Sequence, residues 1–87
     1  MLDSPRSKVL SIEGFDIYTY FDEGNEPAHV HVKKGGGEAK VWMKPTVVIC
    51  WKHGLKPPQI KRILRILNEN YDLAMQEWNV TQARKMQ

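Results

Sequence analysis

The sequence has one cysteine, no long apolar run and no large excess of either charge. A single cysteine, Cys50, excludes an intrachain disulfide and a cysteine cluster for a metal, and we expect its side chain to be a small buried hydrophobe. The longest apolar stretch, residues 46–51, is far too short to cross a bilayer. Residues 1–8 lack the apolar segment of a secretory signal. We therefore expect a cytoplasmic location and no membrane partner.

The length limits the fold to one modest hydrophobic core. With 87 residues, we expect residues 1–87 to form a single domain. A chain this short leaves much of its surface wet, so a homodimer is one of the assemblies that we consider. The formal net charge of +3 is mildly basic. It permits RNA or an acidic protein as a partner and requires neither.

Short alternating segments separated by turn residues predict strands in the first part of the chain. The alternation is weak over residues 7–14, clearer over 15–21, and returns at 28–33 and 38–43, with a further extended segment at 46–51. Glycines at positions 35 to 37 suit the tip of a tight hairpin. The pattern predicts an antiparallel sheet of four to five strands.

The clearest pattern is helical and lies near the C-terminus. Apolar residues recur every three or four positions between Ile60 and Trp78, and two prolines at 57 and 58 suit a helix start. We expect one long C-terminal amphipathic helix packed on one face of the sheet, which gives an α+β fold. The core should lie within 9–79, and 80–87 should be a frayed tail. Three basic residues early in the helix are most simply a solvated face, and their role stays open: Lys61, Arg62 and Arg65.

Two histidines one residue apart, His29 and His31, must share one face of their strand. If positions 35 and 36 form the hairpin tip, the valines of both strands face the helix, and the histidines lie on the other side opposite Trp42 and Lys40. An antiparallel neighbour brings two tyrosines beside them. We expect an exposed outer face that carries six ring and lysine side chains: Tyr18, Tyr20, His29, His31, Lys40 and Trp42.

Several uses of this face stay open. Aromatic rings beside lysines suit single-stranded RNA, because rings stack on bases and ammonium groups meet phosphates. They equally suit a protein interface, where Tyr and Trp are common anchors, and the rings could instead be covered by the first strand or by a second copy. His29 and His31 are also the candidates for acid–base cleavage of RNA, since histidine titrates near neutrality. The sequence places no nucleophile beside them, so we favour a binding role over an enzymatic one.

The same two histidines could converge on one zinc ion, which would need a third ligand. Glu38 and His53 are the nearest candidates, and neither lies at a ligand spacing that we can derive. We therefore expect no metal and no cofactor. Glu38 stays a second candidate for the binding surface.

A pattern that runs through most of the chain resembles a known family. An aromatic strand and an acidic loop are followed by Pro-Ala-His-Val-His-Val at 27–32, a glycine turn, Glu-Ala at 38–39, a proline, and a helix that ends near Trp78. In this order the elements resemble the small bacterial domain of unknown function DUF4160, over roughly residues 9–79. Ala28 stands where the family usually carries a second proline.

The resemblance implies a compact α+β domain. Genes of this family often neighbour that of a second small domain of unknown function, DUF2442, in loci that look like toxin–antitoxin modules. The resemblance therefore implies a toxin–antitoxin-type component whose protein partner is encoded by the adjacent gene. It implies no activity, cofactor or catalytic residue, and it leaves open whether this chain is the toxin or the antitoxin.

Overall fold

The computed structural model describes residues 6–21 and 25–85. Within them, the strands are β1 (Arg6–Ile12), β2 (Phe15–Tyr20), β3 (His29–Lys34), β4 (Gly37–Trp42) and β5 (Val48–His53), and the helices are α1 (Pro57–Glu69) and α2 (Tyr71–Lys85). The strands form one antiparallel sheet in chain order, β1-β2-β3-β4-β5. In this part of the chain, neither helix combines the length and the apolarity needed to cross a membrane.

The β3–β4 hairpin has the register that burial of its valines requires. Val30 pairs with Val41, and Val32 pairs with Ala39. All four side chains are buried, and Ile17 of β2 extends this inner face opposite Val32. A slip of one residue would turn these side chains to the outside. The predicted register of the hairpin is confirmed.

The hydrophobic core lies between the inner face of the sheet and the two helices. α1 contributes Ile63, Ile66 and Leu67, and α2 contributes Ala74 and Trp78. Removal of these apolar side chains from water is the main force that holds the helices on the sheet. The α+β class is therefore confirmed.

The helical segment is divided in two, which corrects the prediction of one long helix. α1 ends at Glu69 and α2 begins at Tyr71, with Asn70 between them at φ −117° and ψ 30°. The side-chain amide of Asn70 donates to the carbonyl oxygen of Ile66 at 2.9 Å, and its backbone N–H uses the same acceptor. An asparagine side chain that competes for backbone groups in this way favours a break in a helix.

α2 continues through residues that we expected to fray. It runs to Lys85, Thr81 is buried, and the side-chain amide of Gln82 donates to the carbonyl oxygen of Tyr20 at 3.1 Å. The chain is therefore helical and anchored well beyond Trp78. The end of the predicted tail, residues 86–87, lies outside the described residues.

Cys50 lies on the edge strand β5 and is exposed, so the expectation that it is buried is wrong. In the β4–β5 pairing, Lys40 lies opposite Trp51 and Val41 opposite Ile49, which leaves Cys50 as an extra residue. An extra residue of this kind is a β-bulge. The bulge shifts the alternation of β5, and the sequence pattern alone did not reveal it.

Candidate functional site

The outer face of the sheet, opposite the buried valines, brings the predicted ring and lysine side chains together. His31 of β3 pairs with Tyr18 of β2 on one side and with Lys40 of β4 on the other. His29 pairs with Trp42. Directly paired residues in an antiparallel sheet project to the same face. The geometry of this face is the one that the hairpin register predicts.

The ring of His29 is enclosed, although we expected it to be exposed. Its exposed fraction is 0%. The ring packs edge-to-face on Trp42 with the centroids 5.5 Å apart, and it lies 4.9 Å from the ring of Trp78 on α2. Nδ1 donates to the carbonyl oxygen of Pro27 at 2.9 Å, because a carbonyl oxygen can only accept. His29 therefore joins the start of β3 to the second helix.

His31 is nearly as enclosed, with an exposed fraction of 8%. Its ring meets Tyr20 edge-on with the centroids 4.6 Å apart, and the His29 ring lies 5.4 Å away. Trp51 of β5 is a further neighbour at 6.2 Å. The outer face is therefore a packed layer of rings, and the two imidazoles form its interior.

Cations gather around one ring at the surface of this layer. The guanidinium carbon of Arg6 lies 4.3 Å from the centroid of the Tyr18 ring, and the ammonium nitrogens of Lys8 and Lys33 lie 5.8 and 5.9 Å from it. We call these four residues the Tyr18 cluster. Each cation–π contact at an exposed site is worth about 0.5–1 kcal/mol. The contacts hold the positive charges together, against their mutual repulsion.

One carboxylate lies beside the Tyr18 cluster. Asp16 accepts a hydrogen bond from Ser11, and its Oδ1 lies 3.7 Å from Nζ of Lys8. The hydrogen bond from Ser11, together with the charges of Lys8 and Arg6, holds the pKa of Asp16 below its ordinary value of 3.8. Asp16 is therefore ionised at neutral pH.

At the other end of the face, the charged group of Lys40 is already paired within the chain. The ammonium group of Lys40 bonds to Glu26 and lies 4.7 Å from the centroid of the Trp42 ring. The Lys40 side chain is only 13% exposed, and Glu26 Oε1 also lies 3.9 Å from Nδ1 of His29. A ligand would have to break this arrangement to reach Lys40. Lys8 of the Tyr18 cluster, whose side chain is 50% exposed, is therefore more accessible than Lys40.

The family of the chain follows from its sequence. A model of the domain of unknown function DUF4160 matches residues 14–79. The chain belongs to the DUF4160 family. Neither a curated protein nor a solved structure matches the chain. The match begins in the β1–β2 turn, so Arg6 and Lys8 lie outside the matched part of this DUF4160 chain.

The sequence suggested a zinc site at His29 and His31, and each of these histidines has one carboxylate near it on this face. Nδ1 of His31 lies 3.9 Å from Glu38 Oε2, and Nδ1 of His29 lies 3.9 Å from Glu26 Oε1. Residues 6–21 and 25–85 contain no group of three or more His, Cys, Asp or Glu side chains arranged to hold a metal ion. His53, the other candidate ligand, pairs with Glu38 from the exposed end of β5.

The basic residues of α1 lie apart from the outer face. Arg65 donates to both carboxylate oxygens of Glu13, at 2.9 and 2.8 Å, and to Glu69 at 3.1 Å. The hydrogen bonds that Arg65 donates to Glu13 lower the pKa of Glu13 and raise the pKa of Arg65. Lys61 and Arg62 are exposed along the same open groove of the helix. Arg65 therefore connects α1 to the β1–β2 turn. Lys61 and Arg62 form the solvated face that the sequence predicts.

The sequence analysis did not predict that two basic residues of β1, Arg6 and Lys8, lie on the outer face of the sheet. Arg6 and Lys8 reach the outer face because they pair with Tyr20 and Tyr18, and the weak alternation of β1 fixed no register. The Glu-Gly pair at 13–14, with φ angles of 54° and 82°, marks a two-residue turn that fixes the register of the hairpin next to it. That register alone would place Lys8 opposite the buried Thr19. The irregularity between Lys8 and Leu10 pairs Lys8 with Tyr18 instead, and no sequence signal reveals it.

Proposed function

We propose that this chain is a small binding module, a toxin–antitoxin-type component of the bacterial cytoplasm that holds a partner protein or RNA on the outer face of its sheet. The observation that carries the proposal is the Tyr18 cluster, where three cations lie between 4.3 and 5.9 Å from one ring. Such a surface suits a polyanion with planar groups, because cations meet phosphates and rings stack on bases. The charge of the cluster therefore favours RNA as the first candidate.

RNA binding is tested by the salt dependence of affinity for a labelled single-stranded RNA. Replacing Arg6 and Lys33 together with alanine removes two cations of the Tyr18 cluster. The matched control replaces Lys61 and Arg62 of α1, which removes the same charge from another surface. Each lost phosphate contact lowers the slope of log affinity against log salt by about 0.7 for a single strand. We expect the first double variant to lose about 1.4 in slope and the control to lose little.

Two results would contradict RNA binding at this face. One is an absence of any shift in RNA mobility or anisotropy with the unmodified chain. The other is an equal loss in both double variants, because net charge and not the position of the cations would then govern binding.

A protein partner is the second candidate, because rings suited to protein contacts remain accessible around the cluster. Tyr20 and Trp42 are half-buried, and Trp51 is 42% exposed. Aromatic anchors of this kind dominate protein interfaces. A tagged chain is mixed with the protein encoded by the adjacent gene. Capture should be lost with Tyr18→Ala and kept with Leu73→Ala, a variant on exposed α2 surface; equal capture by both variants would place the contact elsewhere.

The burial of the histidines argues against RNA cleavage by His29 and His31. A general acid or base must come within hydrogen-bond distance of its substrate, and the two imidazoles are only 0% and 8% exposed among the rings that surround them. Cleavage of RNA by the purified chain that disappears in His31→Phe would restore the catalytic alternative. Zinc at one ion per chain by elemental analysis would restore the metal alternative.

A further inference from the structure

The edge strand β5 could pair with a further strand. It pairs with β4 on one side and is the last strand of the described sheet. An edge strand presents a row of backbone N–H and C=O groups that can pair with another chain. The chemistry of these groups selects an extended peptide as the occupant, in preference to a helix or a small molecule.

The bulge at Cys50 places the two exposed apolar side chains of β5 on one face. In a regular strand, Val48 and Trp51 would project to opposite faces because they are three residues apart. Here Val48 pairs with Trp42 and Trp51 pairs with Lys40, so both lie on the outer face. Val48 is 50% exposed and Trp51 is 42% exposed. Two large apolar side chains thus stand side by side along an open strand edge.

The opposite edge of the sheet is better protected against strand addition. β1 carries Arg6 and Lys8 and contains its own irregularity between Lys8 and Leu10. Ser7 also forms a hydrogen bond with Glu77 of α2. Charged side chains, bulges and a covering helix are the means by which proteins block an edge. β5 also carries a lysine and a bulge, so the contact of β1 with α2 is the feature that distinguishes the two edges, and we expect strand pairing at β5.

We propose that β5 of one chain pairs antiparallel with β5 of a second copy. The charges of the strand select this arrangement, since Lys52 and His53 lie at one end and the uncharged segment from Val48 to Cys50 lies at the other. Antiparallel pairing sets the charged end of each strand beside the uncharged end of the other. Parallel pairing would oppose Lys52 to Lys52, and like charges directly opposite destabilise a sheet.

The pairing would also join the outer faces of the two copies. Trp51 lies 6.2 Å from the His31 ring, so a second copy added at β5 continues the ring layer across the seam. The apolar side chains that are exposed in one chain become shielded by those of the other. This dimer does not depend on the Tyr18 cluster, which lies on the far side of His31 from β5.

The test is the molar mass of the full chain across a wide concentration range, by light scattering after gel filtration and by sedimentation. We expect the mass to approach twice the chain mass of 10.1 kDa as concentration rises. Trp51→Lys and Val48→Lys should each return the mass to that of one chain, because an edge lysine resists strand pairing. Leu73→Lys is the matched control, since Leu73 is 43% exposed on α2, and it should remain dimeric.

A second measurement separates loss of pairing from loss of folding. Circular dichroism must show that each lysine variant is folded, and if Trp51→Lys is not, Val48→Lys decides. Amide hydrogen exchange over 48–53 should slow as the unmodified chain is concentrated, since outward amides gain partners. A chain that stays monomeric throughout, or lysine variants that dimerise as the control does, would overturn the proposal. Capture of a foreign strand by a strictly monomeric chain would overturn it too, and RNA binding tests the other proposal separately.

Discussion

Replacing Trp78 with alanine tests whether the ring layer is a structural part of the core. Trp78 is 7% exposed, closes over His29 with the ring centroids 4.9 Å apart, and belongs to the same buried cluster as the inner face. One side chain of α2 thus touches both the core and the motif histidine. The substitution removes the ring and leaves a cavity that the neighbouring β-strands cannot readily fill.

The expected loss is large compared with the stability of so small a chain. A buried aromatic side chain covers about 150–250 Å², which at about 25 cal/mol per Å² corresponds to roughly 4–6 kcal/mol. Measured Trp→Ala changes in protein cores cost about 3–5 kcal/mol, so we expect about 4 kcal/mol. At roughly 0.05–0.15 kcal/mol per residue, 87 residues have a total stability of about 4–13 kcal/mol. Trp78→Ala should therefore remove between about a third and nearly all of the stability at 25 °C.

The same change at Trp51 is the control, because that side chain is 42% exposed. It buries about 58% of its surface against 93% for Trp78, which scales the loss to about 2.5 kcal/mol. Urea unfolding followed by far-UV circular dichroism measures both, at a dilution where chains do not pair through β5. Equal losses for the two tryptophans would refute the reasoning, since burial would then not decide the cost.

Two further predictions concern the turns at the ends of the sheet. Gly37→Ala should lower the free energy of unfolding by about 1–3 kcal/mol through overpacking, because an added Cβ would lie 2.5 Å from Leu55 Cδ2 and 2.6 Å from the carbonyl oxygen of Gly54. The control is Gly36→Ala, where an added Cβ has nothing within 4 Å, and it should change the free energy of unfolding in urea by less than about 0.5 kcal/mol. Similar losses in both variants would contradict the packing argument. Since Arg65 lowers the pKa of Glu13 below 4.5 in the folded chain, the carboxylate stabilises the fold above pH 4.5, and this contribution is lost as the pH falls through the lowered pKa. The difference in unfolding free energy between the unmodified chain and Glu13→Gln should therefore shrink in acid, and a difference that is constant with pH would show that the ion pair contributes nothing.

The strand register was predictable because one face of the hairpin must be buried. With positions 35 and 36 at the hairpin tip, Val30 and Val32 meet Val41 and Ala39 on the core side, and that alignment also places His29 opposite Trp42. A period of two leaves no intermediate choice. The position of the histidines on the outer face was therefore deducible from the valines and the position of the hairpin tip.

The sequence pattern did not predict how deeply the histidines are buried, because burial depends on contacts made far along the chain. Trp78 reaches His29 from α2, the helix that follows the break at Asn70. Trp51 approaches His31 only because β5 carries a bulge. The apolar periodicity of 60–78 is continuous across the break, so it signals a single helix. A single asparagine that can compete for backbone groups is a weaker sequence signal than this periodicity, so the break at Asn70 was not predicted.

Because His29 and His31 are buried, their role in the fold is structural. Residues from β2, β4, β5 and α2 all converge on them, so their rings join four elements of the fold. A ligand on the outer face meets Tyr18 and its cations before it meets either imidazole. The histidines are therefore best understood as positioning the tyrosine and tryptophan rings. If the surface binds a ligand as we propose, its specificity would come from side chains at its rim, including Arg6 and Lys8, which lie outside the residues 14–79 that the family model matches.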